Sequence, residues 1–214
     1  MKKFVSSWSG GKDSCYACML AIAQGMQPVA LLNMMNENGQ VSRSHAIPKP
    51  VLERQAAAMQ LPLITSPASW SNYEAIFIQS LEQIIKQHGI NTAVFGDIDL
   101  QAHRDWEEMV CSKTGIEAVL PLWQRNRKEL VLEMIAHPIK AYIVSCNETM
   151  GEHFLGREIN ETLVSELEAI GVDACGENGE YHTLMVNCPL FTAEIPIRFG
   201  ERMHHGNYWF IEME

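Results

Sequence analysis

The sequence predicts an α/β fold, a doubly wound parallel sheet with a small C-terminal α+β lobe. Three observations predict it. Short aliphatic or β-branched runs alternate with longer amphipathic segments through about residue 148, the pattern of strands buried on both faces and separated by crossover helices. Glycines punctuate the helical segments where a left-handed cap would stop them, at Gly25, Gly89 and Gly115. The rhythm then changes after about residue 149, where one further helix is followed by β-like runs.

In order, Phe4–Ser7 reads as a strand and Asp13–Gln24 as a helix closed by Gly25. Val29–Asn33 is a strand, Pro50–Met59 a helix, Leu61–Thr65 a strand, and Ser71–His88 a long helix stopped by Gly89. Ala93–Phe95 is a strand running into Gly96-Asp97, and Arg104–Thr114 a helix stopped by Gly115. Glu117–Leu120, Arg127–Ala136 and Ala141–Cys146 complete the series as strand, helix and strand, all in the expected parallel sheet. Beyond it, Asn160–Ile170 is a helix, and Leu184–Val186, Ala193–Phe199 and Tyr208–Met213 are β-like. The expected domains are residues 1–148 and 149–214. Right-handed crossovers put all parallel strand ends on one edge, and ligands bind there near the reversal of strand order. Ser9–Ser14 and Gly96-Asp97 each follow a strand, so they are expected to meet at that edge.

Composition narrows the function classes. The 214 residues are 47% hydrophobic, enough for one substantial core or a main domain with an appendage. A formal net charge of −10 disfavours electrostatic capture of nucleic acid, though not a local basic pocket. No apolar run approaches the roughly 20 residues of a membrane span, and no secretory signal pattern opens the chain. Six scattered cysteines, at 15, 18, 111, 146, 175 and 188, read as reduced thiols of a cytoplasmic protein. Cys15 and Cys18 lie one helical turn apart without a second such pair, which suits core packing better than a metal site.

Ser9-Gly10-Gly11-Lys12-Asp13-Ser14 joins the first strand to the first helix. Glycines let backbone N–H groups approach phosphate oxygens, the helix N-terminus adds donors and positive character, and two hydroxyls and a lysine add more. The spacing is not that of a Walker A loop. Asp97, after a glycine at a strand end, suits a Mg²⁺ ligand as well as it suits a plain turn. Arg104 opposes the dipole of its own helix start, which hints at an anionic partner. Glu177 and Glu180 lie three apart in a glycine-bracketed turn, where a carboxylate could orient or deprotonate an amine. Asn-Gly also marks a plain hairpin, but a plain hairpin does not need Glu on both sides plus Tyr181, His182 and Thr183, which favours function. His45, after the second strand, is a candidate for nucleotide or substrate contact. Arg125, Arg127 and Lys128 form the densest basic cluster, either an anion-binding rim or a solvated face. Trp123 could line a pocket or sit in the core.

The hexapeptide resembles the PP-loop of ATP pyrophosphatases. Together with Gly96-Asp97-Ile98 through Arg104, Glu107, Cys111 and Pro121-Leu122-Trp123, and with Cys175-Gly176-Glu177 through Glu180-Tyr181-His182-Thr183, it is similar to the diphthine–ammonia ligase family over nearly the whole chain. Asn178 stands where many members have glycine. The resemblance implies an ATP pyrophosphatase fold and activation of a substrate carboxylate as an acyl-adenylate, with release of pyrophosphate. Ammonia then gives an amide and AMP, and the family's acceptor is diphthine, a modified histidine on an elongation factor. On this reading Ser9, Gly10, Gly11, Lys12, Asp13, Ser14, His45, Gly96 and Arg104 bind ATP, Asp97 holds Mg²⁺, and Lys12, Asp97, Glu177 and Glu180 carry the chemistry.

Two alternatives stay open at this point: a sulfur transferase acting on tRNA through cysteines such as Cys111, Cys146 and Cys175, and a nucleotide-binding regulator without turnover. The acceptor and any homo-oligomer are not fixed by sequence. Replacing Gly11 with valine is expected to remove ATP binding from a folded protein by occupying the phosphate's place.

Overall fold

The computed structural model describes residues 1–214. In chain order its elements are β1 (Lys3–Ser7), α1 (Lys12–Ala23), β2 (Gln27–Met35), α2 (Lys49–Met59), β3 (Leu63–Pro67), α3 (Tyr73–His88), β4 (Thr92–Val94), α4 (Gln101–Thr114) and β5 (Glu117–Val119). There follow α5 (Arg127–Ala136), β6 (Lys140–Asn147), a single 3₁₀ turn at Glu152–Phe154, α6 (Glu161–Ala169), β7 (Tyr181–Asn187), β8 (Phe199–His205) and β9 (Tyr208–Met213). The chain divides into two units, one of Met1–Ser9, Asp13–Arg43 and Gln60–Gln124, the other of Gly10–Lys12, Ser44–Met59 and Arg125–Glu214.

The first unit holds a five-stranded sheet in the order β3-β2-β1-β4-β5, with every neighbouring pair parallel. The chain steps outward from β1 to β3, then returns to the other side of β1 with β4. The reversal of strand order therefore falls between β1 and β4, as the expected doubly wound fold requires. Val5, Ala93 and Phe95 pack in one cluster with Phe77, Leu81 and Ile84 of α3 and Val110 and Cys111 of α4. Phe4 is also fully buried, so β1 is covered on both faces and reads as an uninterrupted apolar run. Truncating a side chain such as Phe77 in this cluster would cost about 3–5 kcal/mol. The predicted glycine stops hold: Gly89 and Gly115 take left-handed conformations with φ of 63° and 72° and donate their N–H groups to carbonyls of the last turn.

The second unit holds a four-stranded sheet in the order β7-β6-β9-β8, antiparallel throughout. Here the structure corrects the sequence reading. The strand expected over Ala141–Cys146 does not join the parallel sheet; it is β6, a central strand of the antiparallel one, so the second sheet begins at Lys140 rather than after residue 148. Ala141, Ile143, Val144 and Cys146 are all buried, and a strand buried on both faces has the same signature in either kind of sheet. The β-like run Ala193–Phe199 is not a strand; β8 follows it, over Phe199–His205. Beyond Phe199 this edge strand is exposed along its length, so it lacks the apolar alternation that marks a half-buried strand. Its legible signal was Gly206-Asn207, a two-residue turn of the kind that closes hairpins. The starts of α5 and α6 are capped by Asn126 and Asn160, whose side-chain oxygens accept from the N–H groups of Glu129 and Leu163. No helix is long and apolar enough to cross a membrane.

Candidate functional site

Within the first unit, the sheet brings the two motifs together at the reversal point. A Cβ built on Gly96 would lie 2.7 Å from the backbone nitrogen of Ser14 and 2.9 Å from the carbonyl carbon of Asp13. The turn after β4 therefore rests directly on the first turn of α1, and only glycine permits that approach. The hydroxyls of Ser9 and Ser14 are hydrogen bonded to each other at 3.0 Å across the loop. Backbone donors of a helix start, two hydroxyls and a side-chain-free neighbour make an arrangement suited to an anion.

Asp97 follows Gly96 and lies 2.7 Å from Nδ1 of His103, in the first turn of α4. Burial pushes its carboxyl upward, but hydrogen bonds from His103 and Glu107 outweigh that and hold it below the ordinary carboxylate value. Glu107 is itself buried, and a hydrogen bond between two carboxyl groups requires a proton on one of them. No group of three or more His, Cys, Asp or Glu side chains converges as a metal site. A single ionised carboxylate is nevertheless the protein share that Mg²⁺ commonly uses when phosphates complete its shell, so Asp97 fits the group. Arg104 is engaged locally: its Nε donates to Glu108 at 2.7 Å, and its guanidinium lies 5.0 Å from the Trp123 ring centroid. The cation that opposes its helix dipole is thus matched by an acid one turn on.

Gly10–Lys12 belong with the second unit, where they are bound to β7 and α2. The N–H of Met185 donates to the carbonyl of Gly10 at 2.9 Å. The fully buried amide of Gln55 donates to the carbonyls of both Gly10 and Met185, at 2.9 and 2.7 Å. The N–H of Lys12 donates to the Thr183 hydroxyl at 3.0 Å, and Nδ1 of His45 lies 2.8 Å from the Thr183 carbonyl. A carbonyl only accepts, so His45 carries its proton on Nδ1 and presents Nε2 as a neutral acceptor. Burial, chiefly, and the nearby Lys12 charge bring His45 down to about 4, the Thr183 carbonyl opposing them. Its ring stands 4.7 Å from that of His182.

This packing corrects the expectation for Gly11. A Cβ there would not merely fill space for a phosphate; it would lie 2.4 Å from Cε1 of His45 and 3.0 Å from the Thr183 carbonyl oxygen. Gly11→Val would displace the protein's own groups as well. Lys12 is likewise no freely mobile cation: it is 2% exposed, its Nζ donates to the carbonyl of Cys175 at 2.5 Å, and it lies 5.2 Å from the Tyr181 ring centroid.

The acidic turn is organised by its own carboxylates. Glu180 accepts from the backbone of Asp173 and Asn178 and from the Asn178 side chain, at 3.4, 3.0 and 3.0 Å. Asp173 accepts from Arg127 at 2.8 Å and from the backbone N–H groups of Cys175 and Glu177 at 3.2 and 3.0 Å. Glu180 therefore holds the loop in shape, a role the sequence reading did not give it, while Glu177 takes its backbone position from Asp173. The basic cluster resolves into ion pairs of Arg125 with Glu133, Arg127 with Asp173 and Lys128 with Glu168. Gln55, His103 and Asp173 went unmarked in the sequence because no local pattern distinguishes a clamp from any other polar residue on a helix or loop. All six cysteines are buried and none is in a disulfide; burial first, and then Glu107, pushes the Cys111 thiol up to about 12, and burial pushes Cys146 to about 11.

Residues 1–118 match the model of the diphthamide synthase N-terminal domain, and residues 126–214 that of its C-terminal domain. The diphthine–ammonia ligases of Mus musculus and Homo sapiens are 31% and 30% identical over 224 residues, covering 92% of this chain and 84% of theirs. The diphthine–ammonia ligase of Schizosaccharomyces pombe is 26% identical over 93% of this chain, which spans 36% of that longer protein. A solved structure described as a predicted subunit of tRNA methyltransferase from Methanocaldococcus jannaschii covers 91% of the chain at 15% identity and a TM-score of 0.47, too remote to carry an argument.

Proposed function

The chain belongs to the diphthamide synthase family and is an ATP-dependent carbon–nitrogen ligase, and from that premise we propose that it adenylates a substrate carboxylate and transfers ammonia to it. A carboxylate oxygen attacks the α-phosphorus, the bond to the β-phosphate breaks, and pyrophosphate leaves. Ammonia then attacks the acyl carbon, AMP departs with the former carboxylate oxygen, and the nitrogen loses a proton. The acceptor, by analogy with the relatives' names, is diphthine, and by the family resemblance it is carried on an elongation factor.

The observation that carries this reading is the contact of Gly96 with the start of α1 at the reversal of strand order. It supports a phosphate cradle of Ser9, Gly10, Gly11, Asp13 and Ser14 next to a carboxylate, Asp97. The loop's donors are fixed before ligand arrives, so they stabilise the departing pyrophosphate with little reorganisation. Lys12 adds positive charge from its buried position. Asp97 would hold Mg²⁺, which screens phosphate charge when bound. Nε2 of His45 accepts a hydrogen bond from the nucleotide or the incoming amine, and Arg104 lies on the rim of the nucleotide. Glu177 serves the ammonia step, with Glu180 setting the loop that carries it. We place the enzyme in the cytoplasm, free of membrane, and as either a monomer or a homo-oligomer. The raised Cys111 and Cys146 thiols count against sulfur transfer, which needs thiolates.

The test is the fate of ATP. With ammonia and a diphthine-bearing elongation factor, chromatography should show AMP and pyrophosphate formed in step with amide. ADP as the main product would remove the adenylation reading, and ATP binding without turnover would favour the regulator.

A further inference from the structure

Arg43 carries a second inference, and it rests on residues of the first unit alone. After β2 the chain makes a short return: Met35 and Ser42 form an antiparallel bridge, the N–H of Asn36 donates to the carbonyl of Val41 at 2.9 Å, and that of Arg43 to the carbonyl of Met34 at 3.0 Å. The return sets Arg43 at the C-terminal end of β2, the strand beside β1. Its guanidinium lies 4.8 Å from the ring centroid of Trp70, which is 74% exposed and follows the end of β3. Trp70 in turn lies 5.7 Å from Tyr73, at the start of α3.

Nε and Nη2 of Arg43 are both closed off from solvent, and neither has a hydrogen-bond partner. These two nitrogens form one edge of the guanidinium, the fork that meets the paired oxygens of a carboxylate or phosphate. Leaving charged donors dry and unpaired is costly, and the cost disappears when an oxyanion enters. Tyr73, which feels the Arg43 charge, keeps its proton, burial pushing its hydroxyl up to about 12. Trp70 covers the guanidinium face as an exposed aromatic plate.

We propose that Arg43, capped by Trp70, is an oxyanion subsite that takes two oxygens of one substrate group, either the carboxylate of the acceptor or a phosphate of the nucleotide. It deepens the ligase reading by naming a recognition group for a substrate, and its test uses binding rather than turnover, so failure of the subsite and failure of the ligase reading are separable.

Tryptophan emission of the intact chain is titrated with AMP and, separately, with butyrate, in wild type, Arg43→Gln, Arg43→Lys and Trp70→Phe. At least one probe should give a saturable change that is lost in Trp70→Phe and weakened about tenfold or more in Arg43→Gln. Arg43→Lys should not restore the affinity, because an ammonium lacks the fork. Ethylguanidinium added to Arg43→Ala should recover part of the response, which a merely structural arginine would not allow. A response to AMP alone assigns the subsite to the nucleotide, and one to butyrate assigns it to the acceptor. Absence of a saturable Trp70 signal with both probes, or unchanged affinity in a folded Arg43→Gln, overturns the proposal.

Discussion

The side-chain amide of Gln55 donates to the carbonyl of Gly10 at 2.9 Å, so a residue in the second turn of α2 fixes the backbone of the phosphate loop. Its second donation, to Met185, ties the same point to β7. Removing it leaves two carbonyls with one partner fewer inside a buried environment. Gln55→Met should therefore lower stability by about 1–3 kcal/mol and raise KM for ATP more than it lowers kcat. Gln55→Glu adds a pH signature, because the protonated acid can still donate to one carbonyl while the carboxylate repels both. Its ATP affinity should fall as pH rises, in contrast to Gln55→Met. Urea titration and ATP calorimetry across pH would check both.

His45 makes stability depend on acidity. Its ordinary value of 6.5 falls to about 4 in the folded protein. Between those values the unfolded chain binds a proton on this residue and the folded chain does not, so the contribution is present above pH 6.5 and is lost as pH falls toward 4. The total is about 3 kcal/mol. His45→Asn keeps a donor for the Thr183 carbonyl without titrating, and should flatten this part of the profile. Chemical denaturation of both proteins at several pH values would show it as a difference that grows on acidification; parallel curves would count against it.

Glu180 is held by its own loop, so the effect of neutralising it should be structural first. Glu180→Gln keeps the shape but replaces one acceptor oxygen with a donor facing backbone N–H groups. Faster amide hydrogen exchange is expected at Asp173 and Asn178, with slower amide formation as a consequence. Glu177→Gln, by contrast, should slow amide formation with exchange in the loop unchanged. Equal exchange in both variants would return the direct role to Glu180.

Lys12 couples the phosphate loop to the same turn through the Cys175 carbonyl. Lys12→Met should slow adenylate formation by removing positive charge from the pyrophosphate side. It should also loosen residues 174–177, which lose a charged hydrogen bond. Rapid-quench kinetics would follow the first effect and hydrogen exchange the second. A variant that lost adenylation with an unaltered turn would make the Cys175 contact incidental.

Sequence by itself determined the elements and the chemistry-bearing motifs of the first unit. Local pattern was enough there: apolar runs set the strands, glycines set the helix ends, and the glycine turn after β1 declares an anion site through its backbone alone. It also placed Asp97 after a strand, at the edge where right-handed crossovers gather the ends of parallel strands; the strand order itself came from the structure. Only the tertiary structure decided where β6 belongs, because a strand buried on both faces looks the same whichever sheet it enters. Only the tertiary structure showed that Gly11 faces His45 and Thr183, that Lys12 is bonded to Cys175, and that Glu180 braces its own turn. The partners of Gly11 and Lys12 are separated from them by 34 to 172 residues along the chain, counting Gly11 to His45 and Gly11 to Thr183 as the extremes. No periodicity links residues so far apart; their pairing is settled when buried donors and acceptors must find one another in the folded interior.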